Sequence, residues 1–177
     1  MKKFFAILLL LVLNNFSVFA AEVIKIKTTS IPIETEMLKS HYSAYSVQFI
    51  NGSKNPVKIS NIDIKNIVNN ANQVLVSDAT SEIRKNNKYI YLSLITLGVA
   101  GFVGNSKNNK ILTKQKAALS EAALYNTQTT FDSAKSEIIM PNKSKSFKIL
   151  VPLNETPRIE SLFQDTKTSE YIGADAQ

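Results

Sequence analysis

A mainly β chain, folded as a small antiparallel sandwich with an inserted helical segment, is what this sequence predicts. Three observations carry that reading. Apolar and polar residues alternate with period two toward both ends of the chain. The alternating stretches are separated by clusters of turn formers. Between them the apolar spacing changes to the helical period.

The first strand is read at Ile24 and Ile26, which alternate with Lys25 and Lys27. Tyr45, Val47 and Phe49 alternate with Ala44, Ser46 and Gln48 in a clearer second one. Asn51-Gly52-Ser53-Lys54-Asn55-Pro56 is dense in turn formers, and Val57 and Ile59 then resume the alternation. The phase slips by one residue at Ser60-Asn61, the signature of a β-bulge. Residues 43–64 therefore read as an antiparallel hairpin. Farther on, Ile138–Met140 run into a turn at Pro141-Asn142, Phe147 to Leu153 alternate, and Ile159 to Phe163 alternate again. A further strand is expected at Thr127–Phe131, and a loose, flexible tail over 166–177. Short antiparallel strands with one polar face suit an immunoglobulin-like architecture. No Cys–Trp–Cys signature accompanies it, and no named family is recognised.

In the middle, Ala71, Leu75, Ala79 and Ile83 fall on one helical stripe, and Ile111, Ala118, Ala122 and Tyr125 on another. The predicted organisation is a leader at 1–20, two sandwich halves at 21–65 and 127–165, and a helical insertion at 66–126. An insertion of that length is too long for an idle loop.

Composition narrows the function. The 177 residues are 44% apolar and 20% charged, enough for one domain with a core and too few for two. Met1-Lys2-Lys3, the apolar run Phe4–Leu13 and the small residues before Ala21 form the three-part pattern of a secretory leader. The expected destination is the periplasm, the cell surface or the medium. The absence of cysteine removes disulfides and thiolate metal sites as sources of stability. The formal charge of +7 falls to +5 without Lys2 and Lys3, and Arg84 and Arg158 are the two arginines. With so little arginine, nucleic-acid recognition is not expected. Beyond the expected leader, three Asn-x-Ser/Thr triplets, at Asn51, Asn142 and Asn154, occur at about the frequency chance predicts.

The unusual segment is Tyr89–Ser106, eighteen residues without a charge, with its apolar run at 89–104 and Gly98, Gly101 and Gly104 at steps of three. A helix of fifteen to seventeen residues reaches about 22–26 Å, short of the roughly 30 Å of a hydrocarbon core. Both flanks are basic, which no normally oriented span shows. If the strands on either side share one fold, both ends of the segment must lie on one side of a membrane. A return limb at 108–125 would carry Lys110, Lys114, Lys116 and Glu121 into lipid. A complete span is therefore not expected. Residues 82–116 hold seven basic groups and one acid, so the excess positive charge of the exported chain brackets the apolar run.

The expected function is non-enzymatic association with the cell envelope, at an anionic membrane surface or an envelope protein. The binding residues are Arg84, Lys85, Lys88, Tyr89, Tyr91, Leu94, Phe102, Lys107 and Lys110. The alternative is a protein–protein interaction module, adhesin-like or assembly-accessory, with the apolar run buried. Catalysis would have to use His41, the single imidazole, which nothing nearby in sequence orients except Glu34 and Glu36. Asp78 and Glu82 at i, i+4 lack the ligand density of a calcium loop, and no phosphate-binding glycine loop occurs. No catalytic residue, metal or cofactor is expected.

Overall fold

The computed structural model describes residues 24–86 and 106–176. The leader at 1–20 and the apolar run at 89–104 lie outside the described residues. In chain order the elements are β1 (Ile24–Ile31), α1 (Glu36–Lys39), β2 (Tyr42–Asn51), β3 (Val57–Ile64), α2 (Ala71–Asn86), α3 (Ser106–Ala122), α4 (Gln128–Ser133), β4 (Ile138–Ile139), β5 (Ser144–Pro152), β6 (Ile159–Asp165) and β7 (Tyr171–Ala176). The chain is mainly β, with two antiparallel sheets. One has the order β1-β2-β5 and the other β4-β3-β6-β7.

Alternation explains how the sheets meet. Val47 and Phe49 of β2 and Phe147, Ile149 and Val151 of β5 turn one way, toward Val57, Ile59 and Ile62 of β3 and Phe163 of β6. Phe49 lies with its ring centroid 5.7 Å from that of Phe163, which joins the two sheets across the core. Phe131 of α4 plugs the same core, 4.6 Å from the ring of Phe147. The slip at Ser60-Asn61 is a register irregularity between Ile59 and Asn61, which lets β3 keep Ile59 and Ile62 both inward.

Three expectations are corrected. Residues 43–64 do not form a hairpin: β2 pairs with β1 and β5, whereas β3 pairs with β4 and β6 in the other sheet. Asn51 makes the corner between them. Fully buried, it donates from Nδ2 to the carbonyls of Asn55 (2.8 Å) and Ile139 (2.9 Å), and its Oδ1 accepts from the N–H and hydroxyl of Ser53. The strand expected at Thr127–Phe131 is instead the short helix α4. There the Thr127 N–H donates to Thr130 Oγ1, and Gln128 Nε2 donates to the Ile62 carbonyl, so the segment is tied to β3 through side chains. The tail expected over 166–177 carries β7, which pairs with β6 from Ile159↔Ala176 to Gln164↔Tyr171.

The helices form a further layer on one sheet. Tyr42 and Ala44 of β2 and Leu150 of β5 point away from the inter-sheet core, and Leu38, Leu75, Ala118 and Ala122 cover them. Both faces of the first sheet are thus buried at this end, so Ile149, Leu150 and Val151 are consecutive buried residues in β5. Ala79 and Ile83 of α2 meet Ile111 and Leu112 of α3 in a small cluster of their own. Leu75 packs with Ala118 and Ala122 while Ile83 packs with Ile111, so the two helices run antiparallel. No described helix is long and apolar enough to cross a membrane.

Candidate functional site

Antiparallel pairing decides which cations meet. Arg84 and Lys85 occupy the last turn of α2. Lys107 and Lys110 open α3, beside Ile111, which packs on Ile83. The structure therefore gathers these four at one end of the helix pair, with Lys114 and Lys116 farther along α3. All six are exposed. Among the described residues, Arg84, Lys85, Lys110, Lys114 and Lys116 have no carboxylate partner within ion-pair distance. Lys88, Tyr89, Tyr91, Leu94 and Phe102, the remaining expected binding residues, lie outside the described residues.

A carboxylate clamp fixes the opposite end of α3. Glu121 Oε1 accepts from the Glu34 N–H at 2.8 Å, and Oε2 accepts from the Thr35 N–H at 2.9 Å and the Thr35 hydroxyl at 2.6 Å. Thr35 precedes α1, so Glu121 supplies donors at that helix start with the anionic acceptor they lack locally. Partial burial pushes the Glu121 pKa up, but the bonds from Thr35 and Glu34 outweigh it and hold the carboxyl below its ordinary value. Burial raises the neighbouring Tyr125 phenol, helped by the Glu121 and Glu34 charges.

His41 meets an acid that sequence reasoning had paired elsewhere. Its Nε2 contacts Asp78 Oδ2 of α2, so the orienting group is neither Glu34 nor Glu36, and Asp78 does not act with Glu82. Both side chains are more than a third exposed, at 37% and 40%. The Tyr42 phenol beside them is pushed up by burial and by the Asp78 charge. Asp78 is the only hydrogen-bond partner of the His41 ring among the described residues. No group of three or more metal-ligating side chains occurs among the described residues.

A second polar surface lies on the outer face of the other sheet. Asp63, Glu160 and Asp175 are in cross-strand register on β3, β6 and β7. With Asn61, Lys65 and Arg158 they line an open groove of about 680 Å³. Lys65 Nζ bonds Asp63 at 2.7 Å and reaches Glu160 at 3.4 Å, and these bonds raise the lysine pKa. Sequence reasoning missed this row because the three acids are scattered over more than a hundred positions and only strand register unites them.

No family model matches the chain, and no curated protein does. A solved structure, the Northeast Structural Genomics Consortium target SoR45, is similar at 13% identity over 88% of this chain and 83% of that one, with a TM-score of 0.38. A likeness that loose carries no argument.

Proposed function

We propose that this is an exported, non-enzymatic β-sandwich protein of immunoglobulin-like order that associates with the cell envelope through the basic end of its helix pair. The observation that carries the reading is the convergence of Arg84, Lys85, Lys107 and Lys110 where α2 ends and α3 begins. Each cation near an anionic surface is worth roughly 1 kcal/mol, so four to six of them supply about three to four orders of magnitude in affinity. The leader pattern at residues 1–20 supports export. The strand order β1-β2-β5 facing β4-β3-β6-β7 supports the immunoglobulin-like assignment. It differs from the constant-type order only in that the fourth strand joins the sheet of the third, sixth and seventh.

Vesicle co-sedimentation tests it. Binding is expected to vesicles with anionic lipid at low ionic strength, and to fall as salt shortens the screening length to about 3 Å near 1 M. Arg84→Glu, Lys85→Glu and Lys110→Glu together should weaken binding at least about tenfold. Failure to sediment with anionic vesicles at low salt rejects the proposal.

The rival is a soluble protein–protein module, favoured by the way Leu75, Ala118 and Ala122 spend the apolar faces of the helices on the sheet. Brief tryptic digestion of the native protein separates the two. Early cleavage at Lys107 or Lys110 fits an exposed hairpin, and resistance there fits a packed one.

A further inference from the structure

Four buried side chains among the described residues are polar, and three of them are bonded. Asn51 holds its corner, Ser161 donates its hydroxyl to the Ala174 carbonyl at 2.6 Å, and Asp165 accepts from Asn55 Nδ2 at 2.9 Å. The fourth is Asn108. It is 1% exposed, and neither its Nδ2 nor its Oδ1 has a hydrogen-bond partner. A buried polar group left unpaired costs about 1–3 kcal/mol, so a carboxamide with both ends bare marks a place for a bound group.

Its position says which kind. Asn108 stands in the first turn of α3, one turn before Ile111, which packs on Ile83 near the end of α2. Side chains lean toward the start of their helix, so the amide reaches back over a turn whose backbone N–H groups have no partner within the helix. That turn contains no acid. Arg84 and Lys85 close α2 and Lys110 follows on α3, all without a carboxylate partner among the described residues. Glu82 is the one acid between positions 82 and 116. Water would satisfy the amide and leave this charge unanswered, whereas an oxyanion answers both. An anion that only accepts would still leave Oδ1 bare, so the ligand has to bring a hydroxyl as well.

We propose that Asn108 and the start of α3 bind a phosphate group that bears or adjoins a hydroxyl. Nδ2 and the helix N–H groups donate to the phosphate oxygens, and Oδ1 accepts from the hydroxyl. Two sources share that chemistry: inorganic phosphate and the glycerol headgroup of an anionic phospholipid. Lys107, Asn109 and Lys110 are exposed around it, which sets the site just beneath the surface where the cations gather. In its lipid form the proposal rests on the envelope reading and adds a headgroup preference to it.

Isothermal titration of the full chain with inorganic phosphate and with sulfate, at one ionic strength near neutrality, tests it. Sulfate has the same tetrahedral shape and no hydroxyl, so phosphate should bind at least about tenfold more tightly. Asn108→Leu, of similar volume and with no polar atom to satisfy, should stay folded by circular dichroism and lose that preference. Vesicles of phosphatidylglycerol and of phosphatidylmethanol, equal in charge and differing in the headgroup hydroxyls, separate the sources. A preference for phosphatidylglycerol that Asn108→Leu abolishes assigns the site to the headgroup. Equal sedimentation with both, beside a phosphate preference in the titration, assigns it to free phosphate and leaves the envelope reading on charge alone. Sedimentation with neither rejects the envelope reading, and the titration still decides the site. A wild-type chain that shows neither preference overturns the proposal, as does either preference surviving in Asn108→Leu.

Discussion

Glu121 shows how much one side chain can do when three donors converge on it. It ties α3 to the start of α1 across 86 and 87 positions of sequence, with partners at 2.6–2.9 Å. Glu121→Gln should lower unfolding free energy by about 1–2 kcal/mol, the scale of hydrogen bonds to a partly exposed charge. Because its folded pKa lies below the ordinary value of 4.5, the contribution is complete above that value and is lost as pH falls through the folded one. Urea titrations should therefore show the gap between wild type and Glu121→Gln narrowing as the solution is acidified below the ordinary carboxylate value. A gap that holds constant from neutrality to strong acid would assign the effect to packing. His41 and Asp78 add a contact of lesser weight, since exposed pairs contribute about 0.2–1 kcal/mol.

Among elements, the helices are the ones whose packing faces periodicity marks. Leu75, Ala79 and Ile83 on α2, and Ile111, Ala118 and Ala122 on α3, are all buried, because an apolar stripe at helical spacing has one way to leave water. Ala118 has no exposed surface and lies in the cluster that joins the helices to β2 and β5. Ala118→Leu should overpack that layer and cost about 1–3 kcal/mol in a thermal or urea melt. A neutral result would mean the helix stands away from the sheet. The bulge in β3 was legible for a related reason: a phase slip between Ile59 and Ile62 has few other causes. Other features were not local. The turn formers at 51–56 announce a change of direction but not which sheet receives the next strand. Residues 127–131 are rich in strand formers, yet the bonds made by Thr130 and Gln128 wind them into a helix. Nothing in the sequence of β7 marks it strongly; β6 makes it a strand. The same division applies to the candidate site. The cations flanking the apolar run could be read from charge alone, whereas the Glu121 clamp and the His41–Asp78 contact depend on the folded chain.

At the scale of the whole molecule, the described strands and helices share walls. The first sheet packs the inter-sheet core on one face and the helical layer on the other, through neighbours such as Ile149 and Leu150. The helices therefore have no folded support once that sheet melts. Thermal unfolding followed by far-ultraviolet dichroism and by tyrosine fluorescence should give one coincident transition. Loss of helical signal at a distinctly lower temperature would show that the layer is a separate unit. Among the described residues the other sheet has no such cover on its outer face, so they present a cationic helix end and a mixed-charge strand face as different surfaces.

The corner at Asn51 has a chemical consequence. Asn51-Gly52-Ser53 is both an acceptor triplet for glycan transfer and an Asn-Gly pair, the sequence most open to succinimide formation and deamidation. Both reactions require the carboxamide, and in the fold its nitrogen and oxygen are each held by two partners out of reach of solvent. The folded chain is protected at this residue and the unfolded chain is not, so chemical ageing at Asn51 records the time a copy has spent unfolded.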